Sequence, residues 1–134
     1  MPQGARPTSA RPTAASLGRA KRSPLHRLRA ICLALPEAVE KETWDIPTFR
    51  VRDKIFAMAH DPGTVWCKAP RGVQSILVGS APARFFVPPY VGHNGWIGIH
   101  FDSGSDWDEV EALIRRSYRM TAPKRLGVLV PEEA

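Results

Sequence analysis

TFRVRDKIFAMAHDPGTVWCKA, residues 48–69, opens on alternating apolar and polar residues and continues in two short apolar runs, a pattern of strands. From Thr48 to Arg52 the alternation puts Phe49 and Val51 on one face and Thr48, Arg50 and Arg52 on the other. Ile55 to His60 and Val65 to Ala69 read as two further strands, with Asp61, Pro62 and Gly63 turning the chain between them. Strands that succeed one another so closely pair as an antiparallel meander.

Helical patterns flank this meander. Upstream, Ser23 precedes Pro24 as an N-cap, and Leu25, Leu28, Ile31, Cys32 and Leu35 share one helical face, which Pro36 ends. Downstream, a short helix fits Gly72 to Gly79 with Val73, Ile76 and Leu77 as its buried side. Gly95 to Phe101 returns to strand alternation, with Ile97, Ile99 and Phe101 inward. In the last helix Ser105 and Asp108 approximate a capping box, and Trp107, Val110, Leu113, Ile114 and Ser117 trace a face. Acids crowd its first turn and Arg115, Arg116 and Arg119 its end, complementing the helix dipole without any ligand. The expected fold is a two-layer α+β domain, an antiparallel β-sheet with helices packed on one face.

A chain of 134 residues fits one domain that buries its own core. The predicted organisation is a basic, disordered tail over 1–22, a domain over 23–128 and a C-terminal tail over 129–134. The first 22 residues contain Pro, Ala, Ser, Thr and Arg but a single large aliphatic residue after Met1, Leu17. Burial there cannot offset the entropy of ordering. The net charge of +6 is unevenly spread: residues 1–36 hold seven Lys or Arg and no acid, whereas residues 37–134 hold twelve basic and thirteen acidic residues. The basic character therefore belongs to the tail and to local patches. No apolar run spans a bilayer, no secretory signal is present, and Cys32 and Cys67 read as buried thiols of a reducing compartment, so a soluble cytoplasmic protein is expected.

No hydrolase elbow, phosphate-cradling loop or dinucleotide fingerprint occurs. His100 and Asp102 share a strand face, but no third metal ligand accompanies them. The expected assignment is no catalytic residue, no metal and no cofactor. Basic residues of the domain are more suggestive. Arg50, Arg52 and Lys54 lie on or after one strand, Lys68 and Arg71 beside another, and Lys124 and Arg125 beyond the last helix. Hairpins that gather them make a phosphate-contacting surface; left apart, they are the solvated outer face of a sheet.

Five segments carry a resemblance: LPEAVEKETWDIPTFRVRDKIFAMA (35–59), VWCKAP (65–70), RFFVPPYVGHNGWIGIHFD (84–102), DWDEVEALIRRSY (106–118) and APKRL (122–126). Together they resemble the MmcQ/YjbR family, whose positions carry over onto Trp44, Lys54, Lys68, Tyr90, His93, Trp96 and Lys124, among others. The resemblance implies a CyaY-like, double-wing α+β fold and the DNA-binding role commonly assigned to that family. It also reaches frataxin-like proteins by fold, but the first helix here carries His26, Arg27 and Arg29 and no acid, which argues against iron handling. Asp45 and Ile46 depart from the usual family pattern beside Trp44.

The residues support two functional expectations. In the first, Arg50, Arg52, Lys54, Lys68, Arg71, Lys124 and Arg125 contact DNA phosphates while Tyr90, His93 and Trp96 approach bases or sugars. In the second, the same aromatics line a pocket for a peptide, a carboxylate or another small anion, with Lys54, Lys68 and Lys124 as its cations. Neither requires enzymatic activity or a membrane.

Overall fold

A computed structural model describes residues 23–131 of the chain; the tail expected over 1–22, and residues 132–134, lie outside the described residues. Ser23 caps α1 (Pro24–Leu33) as the pattern predicts, its hydroxyl accepting the His26 N–H at 3.3 Å. Leu28, Cys32 and Leu35 are buried beneath it, with Leu25 and Ile31 packed alongside. Next comes a four-stranded meander, β1 (Val39–Thr43), β2 (Ile46–Val51), β3 (Lys54–Asp61) and β4 (Thr64–Cys67). After helix α2 (Val73–Ser80), the two-residue strand β5 (Phe85–Phe86) and a 3-10 turn (Gly92–Asn94), β6 (Ile97–His100) completes the sheet. The six strands lie in the order β1-β2-β3-β4-β6-β5, all antiparallel. Helices α3 (Trp107–Thr121) and α4 (Lys124–Gly127) end the domain.

Two hairpins turn in two residues held in the left-handed region, Trp44 and Asp45 (φ 53° and 64°) and Arg52 and Asp53 (φ 51° and 66°). That geometry matches strand twist but suits Gly and Asn best. Asp adopts it at modest cost, whereas Trp and Arg do so under strain.

Cross-strand pairing sorts the side chains into two sets. Phe49, Ala57, Cys67 and Ile97 form one row facing the helices, and Val65, Ile99 and Phe85 another. Against these rows pack Leu28 and Cys32 of α1, and Val110, Ile114 and Tyr118 of α3. Val73 and Leu77 of α2 and Leu126 of α4 join the same core, so the described helices cover one face. Ser117 of α3, fully buried, donates to the Phe56 carbonyl at 2.6 Å and accepts the Lys68 N–H at 2.8 Å. Tyr118 donates to the Pro36 carbonyl at 2.6 Å and meets Phe56 edge-on, rings 5.4 Å apart. One helical turn therefore fixes β3, the end of β4 and the loop after α1.

Several expectations need correction. The cap of α3 is Asp106, which accepts the Glu109 N–H, while the Ser105 hydroxyl instead accepts the Asp102 N–H; a carboxylate at the helix start opposes the dipole's positive end better than a hydroxyl. Ile76 is 66% exposed, and Val73, Leu77 and Val78 form the packed side of α2. Arg50 and Arg52 do not share a face, because Arg52 is in the turn at φ 51°: Arg50 reaches Thr43 and Thr48, whereas Arg52 reaches Glu37. After α4, Val130 is buried against the core and its carbonyl accepts from Arg119.

Replacing Ser117 with Ala leaves the Phe56 carbonyl without its side-chain donor and the Lys68 N–H without its acceptor. At roughly 1–3 kcal/mol per unsatisfied buried group, Ser117→Ala is expected to cost about 2–4 kcal/mol. A urea melt of the variant with an unchanged m-value and a lowered midpoint is the expected result; a shift under about 0.5 kcal/mol would refute the bridge.

Candidate functional site

The sheet face away from the helices is also apolar. Thr48, Met58, Trp66, Gly98 and Phe86 pair across five strands into one row. Gly98 is required there because the Phe86 ring lies over it, and any Cβ would overlap that ring. His60 stacks flat on Trp66, with ring centres 4.2 Å apart and planes 7° from parallel, and Phe86 lies 4.8 Å from the His100 ring. Met58, Trp66 and Trp96 are buried in this second cluster, with Ile46, Ile55 and Val91 against them.

These residues floor a groove of about 460 Å³ lined on its rims by Trp44 and Tyr90. The two rims come from opposite sides, Trp44 from the β1–β2 turn and Tyr90 from the segment before β6. Both rings face solvent, Trp44 73% and Tyr90 86% exposed, and both backbones are left-handed, with Tyr90 at φ 68°. A hydrogen bond of 2.7 Å from the Val91 N–H to the Pro89 carbonyl closes a three-residue turn centred on Tyr90, the rarer, strained hand of the γ-turn. Gln74 anchors the segment after this turn, its amide donating to the carbonyls of Gly92 (2.8 Å) and Trp96 (2.7 Å). Gly95, at φ 87°, turns the chain from the 3-10 segment into β6.

Cations border the groove unequally. Lys68 is partly buried, its ammonium 6.0 Å from the centre of the Trp96 ring. Burial, and then the charge of nearby Lys54, lower its pKa from the ordinary lysine value. Among the described residues no carboxylate pairs with Lys54, Lys68 or Arg71. The arginines differ. The Arg50 side chain, 13% exposed, donates to Thr43 and Thr48 hydroxyls at 2.9 and 3.2 Å and lies 3.5 Å from Asp53. Arg52 forms a forked pair with Glu37 (2.6 and 3.3 Å), which holds that carboxyl below its usual range. Lys124 and Arg125 are exposed on α4, where the Arg125 charge also reaches Glu37.

Of the residues predicted from sequence, the structure gathers Tyr90 and Trp96 in the groove and Lys68 beside Trp96, with Lys54 near it. His93 is exposed on the 3-10 turn, outside the groove lining, and Arg71 is exposed three residues past Lys68. Arg50 and Arg52 are occupied within the fold, and Lys124 and Arg125 belong to the helical layer. Sequence reasoning missed Trp44, Ile46, Ile55, Met58, His60 and Trp66 as lining. For Ile55, Met58 and Trp66 a signal was present: IFAMA (55–59) and VWC (65–67) are apolar at every position, as strands buried on both faces are; Trp44, Ile46 and His60 lie outside these runs.

Among the described residues no group of three or more His, Cys, Asp or Glu could hold a metal ion, and no helix is long and apolar enough to cross a membrane. Burial pushes the Cys67 thiol up to about 12 and raises Cys32 as well, so neither is a thiolate at neutral pH.

The YjbR family model matches residues 33–120. The crystal structure of the Deinococcus radiodurans protein DR2400, a DUF419 domain, is similar to this fold with a TM-score of 0.65 at 19% identity, covering 74% of this chain and 78% of that one. No curated protein matches the chain. The matched stretch runs from the end of α1 nearly to the end of α3 and includes the four-strand meander, the groove rims and the Lys54–Lys68 pair: the chain belongs to the YjbR family.

Proposed function

We propose that this domain is a cytoplasmic DNA-binding module rather than an enzyme, seating phosphates on Lys54, Lys68 and Arg71. The observation that carries this reading is the Lys54–Lys68 pair. Lys54 lies close enough to disfavour the charge on Lys68, Lys68 is partly desolvated, and among the described residues no carboxylate relieves them. By contrast Arg29, Arg50, Arg52 and Arg84 all have acidic partners. A bound phosphate would supply the missing negative charge. The family resemblance points the same way, since Lys54 and Lys68 are among the positions it covers. A second reading, a pocket for a compact anion, draws on the groove's 460 Å³, within the roughly 300–1,000 Å³ of small-molecule sites.

The test compares the full chain with a chain beginning at Ser23, each titrated with random-sequence DNA at two salt concentrations. The shorter chain is expected to retain salt-dependent binding, and Lys54→Ala with Lys68→Ala to weaken it and flatten the log–log salt slope by about 2, one per lost phosphate contact. Binding lost with the first 22 residues would assign it to the tail, and an unchanged affinity in the double variant would remove these lysines from the interface.

A second expectation concerns pH. The folded-state pKa of Lys68 lies below its unfolded value, so its protonated form opposes folding at neutral pH; stability then rises as pH climbs from the lowered pKa toward 10.5. Lys54→Gln removes the neighbouring charge and should raise the Lys68 pKa, followed by NMR of the lysine side chain. DNA should raise it too, and a Lys68 pKa unmoved by saturating DNA would place the phosphate elsewhere.

A further inference from the structure

Resting on that DNA-binding reading, we infer that the groove is a seat for unpaired bases, so that the preferred ligand is a single strand: its bases enter between Trp44 and Tyr90 while its phosphates lie on Lys54 and Lys68. Three features of the site converge on this ligand. The first is ring exposure. Trp44 and Tyr90 leave their rings in solvent across a floor of Met58, Trp66 and Trp96, and a base ring stacks on such a surface whatever its identity. The second is backbone conformation. Both rim residues are non-glycine residues at positive φ, a cost of about 1–3 kcal/mol each, and neither recovers it by burying its ring. The two rings stay exposed over the floor rather than packed into it. The third is charge, which decides the occupant. Lys68 lies beside the floor residue Trp96 with Lys54 near it, and neither has a carboxylate partner among the described residues, so an apolar peptide would leave the two cations uncompensated. A strand offers a ring and a phosphate at every nucleotide.

Duplex DNA fits this arrangement poorly. Its base faces are already stacked on one another, and it presents only base edges, sugars and phosphates. The lowest part of the site, the Met58–Trp66–Trp96 floor, is apolar. A duplex lying across the rims would meet the lysines and leave the floor empty.

The experiment uses the full chain, with its basic N-terminal segment present throughout. Three fluorescent probes of about twelve nucleotides, a length within the span of roughly 4–16 that a single-strand-binding domain covers, are titrated at one salt concentration: an oligothymidylate single strand, a duplex, and a single strand with abasic sugars at every position. The oligothymidylate should bind at least tenfold more tightly than the duplex or the abasic strand, and should quench the intrinsic tryptophan fluorescence. Trp44→Ala with Tyr90→Ala should cost about tenfold or more per ring on the oligothymidylate and leave the duplex affinity unchanged. Trp44→Phe should restore much of the loss. Equal affinity for the abasic strand and the oligothymidylate, or for duplex and single strand, overturns the base seat while leaving the phosphate-binding reading intact. Competition by thymidine monophosphate at equal nucleotide concentration overturns it in favour of a compact ligand. Failure of all three probes to bind sinks both readings together.

Discussion

The Ser117 hydroxyl is the group on which the two layers of this domain depend. It is buried, and it satisfies the Phe56 carbonyl of β3 and the Lys68 N–H just past β4 at once. Phe56 lies beside the register shift at Phe49/Arg50, where the ladder between β2 and β3 is interrupted. A backbone carbonyl there and an N–H past the end of a strand lack ladder partners, and burial without one would be costly. Ser117 reconciles burial with pairing. The same contact fixes the backbone from which Lys68 extends, so the helical layer on one face of the sheet positions a cation that meets the Trp96 ring on the other.

That transmission matters because the sheet is apolar on both sides. An antiparallel sheet usually gives one face to a core and the other to water. Here the second face presents Met58, Trp66 and Trp96, with Phe86 lying over Gly98. The chain shields much of that area itself, by stacking His60 on Trp66 and by folding the Phe86 and Val91 segments across β6. The area left uncovered is the groove between Trp44 and Tyr90. Its walls are positioned by bonds that do not belong to it: Gln74 from α2 holds the loop carrying Tyr90 and Trp96, and the β1–β2 hairpin holds Trp44.

Much of this was legible in the residues. Period-two alternation identifies β2 and β6, Asp61-Pro62-Gly63 identifies its turn, and Ser23-Pro24 marks the start of α1, because each of these signals is local. The two-layer α+β arrangement comes from strands adjacent in sequence between amphipathic helices, and the observed sheet has that form. Features set by tertiary contacts escaped reading. Phe85 and Phe86 are adjacent in sequence, yet pairing with β6 sends Phe85 to the helical face and Phe86 to the other. Ile76 falls on an apolar helical stripe but α2 turns it outward. Arg50 and Arg52 alternate in the sequence; one tight turn is enough to separate them. Of the site, the family motif pointed to Tyr90, Trp96, Lys54 and Lys68. The groove itself was hidden, because a period of two cannot say that both faces of a strand are apolar by need.

The arginines and lysines of the domain divide by what their head groups do well. A guanidinium is planar and forked, so it satisfies a carboxylate with two hydrogen bonds and loses little by being fixed. The structure uses it so, as Arg29 on Glu40 and Arg52 on Glu37, pairs that tie α1 to β1 and the β2–β3 turn to the loop before β1. An ammonium is a compact charge on a flexible stem and gains less from a fixed partner. Lys54 and Lys68 have no carboxylate partner among the described residues, and Lys68, within reach of the Lys54 charge, stands beside the aromatic groove. The net positive charge of the chain therefore overstates what a ligand can meet in the folded domain. Arginines already spent on carboxylates add positive charge to the total but little to the field outside, whereas two lysines that repel each other make a local potential an anion can use. For that reason the position of a cation relative to its nearest acid, rather than the sum of charges, decides which residues of this fold can meet a ligand.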